Sequence, residues 1–168
     1  GNFDYYYVML GNKLANVDAN FAVSSQDLVE SLSRAGATAQ DAGISFEKLL
    51  SLTASLQQTT ARGGAVIGNA LRSIFTRIER GSTLDALQQF GVATRDLEGN
   101  VLAVDKVLQN LANTYKTLAR SEQIAVSERV AGIQQINQLK ALLGDLAHAN
   151  SIYGRSLATA GENTNAAI

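Results

Sequence analysis

The sequence predicts a mainly all-α protein, a multi-helix domain of stacked amphipathic helices with one small β-hairpin that begins near Asp96 and ends near Leu102. Three observations support this prediction. The chain has no proline in 168 residues, so the residue that most strongly breaks helix interiors is absent, and glycine is left to separate the helices. Apolar residues recur at intervals of three and four in most segments, which is the period of a helix with one buried face. Serines and glycines stand between these segments, where helices commonly begin and end.

The first helices are separated by serines and glycines. Apolar residues at helical spacing in residues 1–24 predict a helical lead-in. A clearer amphipathic helix follows, with Ser24 or Ser25 as its N-cap and Gly43 just past its end. Ser45 is the predicted cap of the next helix, which the sequence TTARGG ends.

The third helix after the lead-in is predicted to begin near Ala65, after a sharp bend at Gly63, and to end near Arg80, where Gly81 stops it. It has a narrow apolar seam, which is the candidate surface for helix pairing within one chain or between copies. The seam consists of Ile67, Leu71, Ile74 and Ile78. Three arginines lie off the seam, namely Arg72, Arg77 and Arg80.

Two glycines at the start of that helix, Gly64 and Gly68, lie four residues apart. Glycine lets a neighbouring backbone approach closely, and each helical glycine costs up to about 1 kcal/mol relative to alanine, so we expect a specific packing contact here. The interval from Gly63 to Gly68 has the spacing of a phosphate-binding loop, but Asn69 and Ala70 occupy the places of the required Lys and Ser or Thr. We therefore expect no nucleotide site.

The next segment predicts a short helix followed by a tight reversal. Ser82 or Thr83 is the predicted cap of the helix, and Gly91 its end. The apolar period then changes, and the pair formed by Gly99 and Asn100 predicts the turn of the β-hairpin.

The second half of the chain returns to the helical period. A strongly amphipathic helix is predicted from Val104 to Leu118, and Ser121 is the predicted cap of another helix, which Gly132 interrupts. The apolar residues that follow predict one long helix or two in succession. The tail after Ala160 is small and polar, and we expect it to fray.

Residues that could perform catalysis or bind metal are few. His148 is the single histidine and there is no cysteine, which excludes a two-histidine zinc site, a His-paired relay and thiolate ligands within this chain. The segment DLEGN resembles a calcium loop, but Val101 and Val107 stand where Gly and Glu are required. Asp96 and Glu98 suit a solvated turn better than a catalytic pair. We predict a protein that is not an enzyme and holds no cofactor or metal.

The charge distribution disfavours nucleic acid as the main partner. The net charge is −1, and the 14 basic residues are spread along the chain. No basic segment precedes an apolar stretch at the start, and no run approaches the roughly 18 apolar residues of a membrane span, so neither a signal peptide nor a span is predicted. The chain begins at Gly1 without an initiator methionine, and we expect it to be part of a longer polypeptide.

The order of several motifs resembles the core region of phage tail tape-measure proteins. The motifs are AGISFEKLLSL, RGGAVIGNALRSIFTRI, LQQFGVATRDLEGNV, LQNLANTYKTL and IAVSERVAGIQQINQLKALL, in that order. The similarity covers about residues 25–145, which we take as the core domain. The lead-in of residues 1–24 precedes it, and a C-terminal helix with a frayed tail, residues 146–168, follows.

The resemblance implies a structural protein of the tail, much longer than this chain, whose helical length sets the tail length while tube subunits polymerise around it. The implied partners are other copies of itself and the tail-tube, tail-tip and tail-assembly chaperone proteins, with no specific nucleic acid and no membrane for this segment. The implied location is the virion tail, and the host cytoplasm during assembly. The alternative is a generic helical adaptor or scaffold that binds partner helices outside any virion.

Overall fold

The computed structural model describes residues 24–166, and within that range the chain forms eight α-helices and one short 3-10 helix. The helices are α1 (Ser25–Asp41), α2 (Phe46–Thr60), α3 (Gly64–Ile78), α4 (Gly81–Gln89), α5 (Val104–Tyr115), α6 (Arg120–Ala131), the 3-10 helix (Ile133–Gln135), α7 (Ile136–Leu146) and α8 (Ile152–Ala166). The prediction of a mainly all-α fold is confirmed. Apart from Ser24, the predicted helical lead-in lies outside the described residues.

Serine caps fix the starts of the first two helices. The Ser24 hydroxyl accepts a hydrogen bond from the backbone N–H of Asp27 at 3.1 Å, and the Ser45 hydroxyl accepts one from the N–H of Lys48 at 3.2 Å. Each bond satisfies a donor in the first helical turn that has no partner within the helix. Ser24, rather than Ser25, is therefore the first cap, and Ser45 caps α2 as predicted.

The predicted β-hairpin is wrong in its strands. Among residues 24–166 the only β-type pairing is an isolated antiparallel bridge between Arg95 and Val101. The Asp96 carboxylate instead organises the reversal, because its Oδ1 accepts from the N–H groups of Glu98 at 3.0 Å and Asn100 at 2.9 Å. These side-chain bonds occupy backbone donors near the turn, and the result is a capped loop between α4 and α5.

Gly81 does not stop α3. That helix ends at Ile78, and Gly81 is instead the first residue of α4, whose N-cap is Arg80 with an extended backbone at φ −64° and ψ 134°. The chain thus changes direction at Arg80 without a left-handed residue. Ser82 and Thr83, the predicted caps, lie inside α4.

Three helix limits in the second half also differ from the prediction. α6 begins two residues earlier than a Ser121 cap would allow: its N-cap is Ala119, whose backbone N–H donates to the Glu122 carboxylate at 2.9 Å. α5 ends at Tyr115, before Leu118. After Gly132 come the 3-10 helix and then two α-helices in succession, one of the two predicted arrangements, but the second, α8, continues past Ala160, where we predicted fraying.

Helices α2 and α3 form the centre of the packed bundle. α3 packs against α1 and α6, whereas α2 packs against α7 and α8. The main core cluster is aliphatic apart from one phenylalanine; its largest fully buried side chains are Phe75, Leu52, Leu56, Ile67, Leu71, Ile74, Ile78, Leu87, Leu108 and Leu111. Leu28, Leu50 and Ala54 form a second, smaller cluster. Burial of this apolar area is the main stabilising contribution to the fold.

Buried polar groups connect the layers. The Ser55 hydroxyl of α2 donates to Asp145 Oδ2 of α7 at 2.7 Å. The same carboxylate accepts from the backbone N–H groups of Ile152 at 2.8 Å and Tyr153 at 3.0 Å, at the start of α8. Asp145 therefore caps α8 from another helix, and its negative charge lies at the positive end of the α8 dipole. Within residues 24–166 no helix is both long and apolar enough to cross a membrane.

Candidate interaction surface on helix α3

The apolar seam of α3 lies in the protein core. Ile67, Leu71 and Ile74 have no exposed surface and Ile78 has 1 %. All four belong to one buried cluster that includes side chains of α5, α6 and α7. In this structure the seam therefore pairs helices within one chain, and it is not exposed to a second copy.

Gly64 and Gly68 lie where α1 crosses α3. A Cβ atom on Gly64 would overlap the backbone carbonyl oxygen of Asp27 and would lie 2.8 Å from its Cα. A Cβ atom on Gly68 would lie 2.9 Å from the Cβ of Arg34 and 3.0 Å from the Cα of Ser31. These separations are too short for ordinary side chains, so the two backbones approach each other only because both positions lack a side chain.

Asp27 connects the same two helices through its carboxylate. Its Oδ1 accepts from the backbone N–H of Gly64 at 2.9 Å, and its Oδ2 accepts from the hydroxyl of Ser24 at 2.8 Å. Gly63, the N-cap of α3, provides no side-chain hydrogen bond. One carboxylate thus serves the first turns of both α1 and α3, where negative charge is favourable.

The remaining predicted turn residues occupy loops between helices. Gly43, Gly91, Gly99 and Gly132 have φ angles of 74°, 86°, 87° and 85°. Asn100 donates its N–H to Asp96 within the capped loop. Of these residues, Gly132 is the one that lies against α3, next to Arg77.

The face of α3 opposite the seam lines an open groove. Three cavities of about 470, 390 and 410 Å³ adjoin there, and each is lined by Arg77. We call this surface the arginine groove. We define it by Arg72 and Arg77 of α3, Arg80 just past its end, Glu128 and Arg129 of α6, and the following residues Gly132 and Ile133.

The C-terminal end of α6 holds Arg77 in place. Arg77 Nε donates to the hydroxyl of Ser73 at 3.3 Å, and that hydroxyl donates to the carbonyl oxygen of Ala131 at 2.7 Å. A Cβ atom on Gly132 would lie 3.0 Å from the Cζ, Nε and Nη2 atoms of Arg77. The absence of a side chain at Gly132 leaves room for the guanidinium, next to the negative end of the α6 dipole.

The groove has an excess of positive charge. Among the described residues, ion pairs join Arg34 to Glu30 and Lys48 to Asp105; Arg72, Arg77, Arg80 and Arg129 form none. Glu128 is the one carboxylate among the residues that line the three cavities. Beside it, Ile133 exposes 75 % of its surface.

Part of this surface follows from the sequence and part does not. The helical period places Arg72, Arg77 and Arg80 away from the buried seam. The contribution of Glu128, Arg129 and Ile133 could not be predicted from the helical period, because their position beside α3 depends on how α6 packs. The contact between Arg77 and Gly132 also depends on how α6 packs against α3.

The groups with shifted pKa lie outside the groove. Burial, and then the negative charge of Asp105, raise the pKa of the Tyr153 hydroxyl above its usual range, so that this side chain stays neutral. Asp96 has a lowered pKa, chiefly because it accepts a backbone hydrogen bond from Asn100. His148 is exposed after the end of α7. Within the described part of the chain, no group of three acidic or histidine side chains lies close enough together to hold a metal ion.

Comparisons with known proteins relate the chain to a protein family and to a tail protein of known source. The family described as phage-related minor tail protein matches residues 7–144, a range that includes the whole arginine groove. A protein described as the probable tape measure protein of Escherichia phage P2 is 22% identical over 138 residues. That alignment covers 81% of this chain and 16% of the relative, so the chain spans a small part of the relative's length. No solved structure matches the chain.

Proposed function

The chain belongs to the family of phage-related minor tail proteins, and from this premise we propose that it is a folded segment of a longer tape-measure protein. As a member of the family it is a structural component of a phage tail. The finer role that we propose is to help set the length of the tail and to nucleate polymerisation of the tail tube.

The observation that most supports this proposal is the alignment with the phage P2 relative, which covers 81% of the chain but only 16% of the relative. Such an alignment is expected if this chain corresponds to one block of a much longer polypeptide. An α-helix rises about 1.5 Å per residue, so a long helical chain converts its residue number into distance.

Within such a polypeptide, the described residues suit an attachment or assembly block better than a ruler. Their helices fold back on one another, as the packing of α3 on α1 and of α2 on α8 requires. A segment that measures length has to extend along the tail axis. We therefore assign the ruler to sequence outside residues 24–166.

The proposed partners follow from the same role. They are other copies of the protein and the tail-tube, tail-tip and assembly-chaperone proteins, which meet it in the host cytoplasm during assembly. The proposed role requires no catalysis. A hydrolase or nucleotidase activity of the purified chain that a point substitution abolishes would contradict this part of the proposal.

The tail-length role is tested by in-frame deletions and duplications in helical stretches of the parent gene outside this block. We expect electron microscopy to show tails shortened or lengthened by about 1.5 Å per residue removed or added. A scrambled stretch of the same length and helical propensity is the matched control, and it should leave the length unchanged. Infectious particles whose tails keep one length throughout would contradict the proposal and favour the adaptor alternative.

A further inference from the structure

We infer that the arginine groove binds an acidic, amphipathic peptide segment of a partner protein in the tail. The inference rests on the proposed function, and it names the chemistry of one of its partners.

Local charge is the first argument. The whole chain has a net charge of −1, yet the groove brings together Arg72, Arg77, Arg80 and Arg129 with the single carboxylate of Glu128. Within residues 24–166 no ion pair neutralises these arginines. Because like charges repel, such a cluster favours an anionic partner.

The fixed position of Arg77 is the second argument. Its Nε is engaged by Ser73, whereas its two terminal nitrogens form no hydrogen bond to the described residues. A guanidinium binds a carboxylate through two parallel N–H groups, and a guanidinium that is already held loses less conformational entropy when it does so. The contact with Gly132 therefore prepares Arg77 for a planar anion.

The third argument separates an acidic peptide from a nucleic acid. Ile133, which is 75 % exposed, offers an apolar contact beside the arginines that a phosphate backbone would not cover. Glu128 repels a continuous row of phosphates but leaves space for separate carboxylates. Arg72 lies within α3 and Arg80 just past its end, so the partner needs carboxylates at more than one position and an apolar side chain beside them.

The test uses the 168-residue chain and a synthetic helical peptide with glutamates spaced one turn apart and leucines on an adjacent face. Binding is followed by fluorescence anisotropy, and the contact by the NMR signals of the arginine Nε–H groups. We expect saturable binding that shifts the Arg77 signal and weakens with added salt. The double variant Arg72→Glu with Arg80→Glu should weaken binding by at least about tenfold.

Controls separate the groove from general electrostatics. The double variant Arg62→Glu with Arg120→Glu makes the same change in net charge at exposed positions outside the groove, and it should bind the peptide within about threefold of the wild type. A peptide with lysines in place of glutamates should bind the Arg72→Glu, Arg80→Glu chain more tightly than it binds the wild type. Circular dichroism of the Arg72→Glu, Arg80→Glu chain shows whether it is folded.

Three outcomes would overturn the inference: equal affinity for a peptide with glutamines in place of glutamates, no saturable binding, or tighter binding of duplex DNA at the same salt concentration. These outcomes leave the tail-length experiment unaffected, because that experiment alters only sequence outside the block. The inference about the groove and the proposed function therefore fail separately.

Discussion

Helix α3 has two polar regions that differ in where their partners lie. At its first turn, the glycine edge formed by Gly64 and Gly68 meets α1, and the N–H of Gly64 donates to Asp27. Further along, the guanidinium groups of Arg72, and of Arg80 just past the end of α3, form no ion pair within the described residues. One region is completed within the fold, whereas the other remains available for a second molecule.

The comparison shows how one helix can serve both folding and recognition. Close packing requires the absence of side chains, so the glycine edge tolerates no addition. Recognition of a partner requires long side chains with unsatisfied donors, and these contribute little to stability while they face water. Substitutions at the two regions should therefore affect different measurements.

The largest effect on stability is expected at the glycine edge. Gly64→Ala places a methyl group onto the backbone of Asp27, which forces α1 and α3 apart and weakens the charge-assisted hydrogen bond between them. We expect a loss of about 3 kcal/mol in the free energy of unfolding, or a fall of roughly 6–12 °C in melting temperature. Thermal and urea unfolding followed by circular dichroism would measure it.

Gly36→Ala is the matched control for that substitution. Gly36 lies inside α1, and a Cβ atom there would meet nothing within 4 Å. Alanine should therefore stabilise the helix by up to about 1 kcal/mol. If both substitutions shift stability in the same direction, close backbone packing is not what distinguishes Gly64.

A smaller effect on stability is expected at Ser73, whose hydroxyl links the carbonyl oxygen of Ala131 to Arg77 Nε. Ser73→Ala removes the bond to the carbonyl oxygen of Ala131 and the acceptor for Arg77 Nε. We expect a loss of about 1 kcal/mol in stability, together with weaker binding of the acidic peptide, since Arg77 is no longer held. Calorimetry of unfolding and the same anisotropy titration would measure both, and peptide affinity unchanged by the substitution would argue against the holding role.

The smallest effect is expected at the capped loop, which belongs to neither region. Hydrogen bonds from Asn100 and Glu98 lower the pKa of Asp96 below its ordinary value of 3.8. A carboxylate with a lowered pKa in the folded state stabilises the fold above pH 3.8, and that contribution disappears as the pH falls through the folded-state pKa. A carboxyl NMR titration should place Asp96 below 3.8, and Asp96→Asn should remove this part of the acid sensitivity. A midpoint at or above 3.8 would contradict the capped geometry.

Much of the fold follows from local signals in the sequence. Ser24 and Ser45 carry oxygen acceptors before apolar periods, and both are N-caps. The predicted limits of helices and strands were wrong where a contact that the local sequence pattern does not reveal decided the structure. The Asp96 carboxylate accepts hydrogen bonds from backbone N–H groups of the reversal, and a capped loop forms where we predicted two strands. The chain changes direction at Arg80, so the glycine that follows it is not the residue that ends α3.

The candidate surface was only half predictable. The period of α3 was sufficient to place Arg72 and Arg77 off the seam. Single-sequence periodicity says nothing about which distant helix lies beside them, so Arg129 and Gly132 could not be added to the groove. For the same reason the glycines of α3 predicted a close contact, but not that Asp27 of α1 would form it.

The most direct test of the division within α3 is tail assembly by a phage whose parent gene carries Arg72→Glu and Arg80→Glu. Electron microscopy would count and measure the tails, and unfolding of the purified chain would measure stability. We expect the melting temperature to stay within about 2 °C of the wild type, while the number of complete tails falls at least about tenfold because the acidic partner no longer binds. Tails of normal number and length from this variant would contradict a role for the arginine groove in the assembled tail.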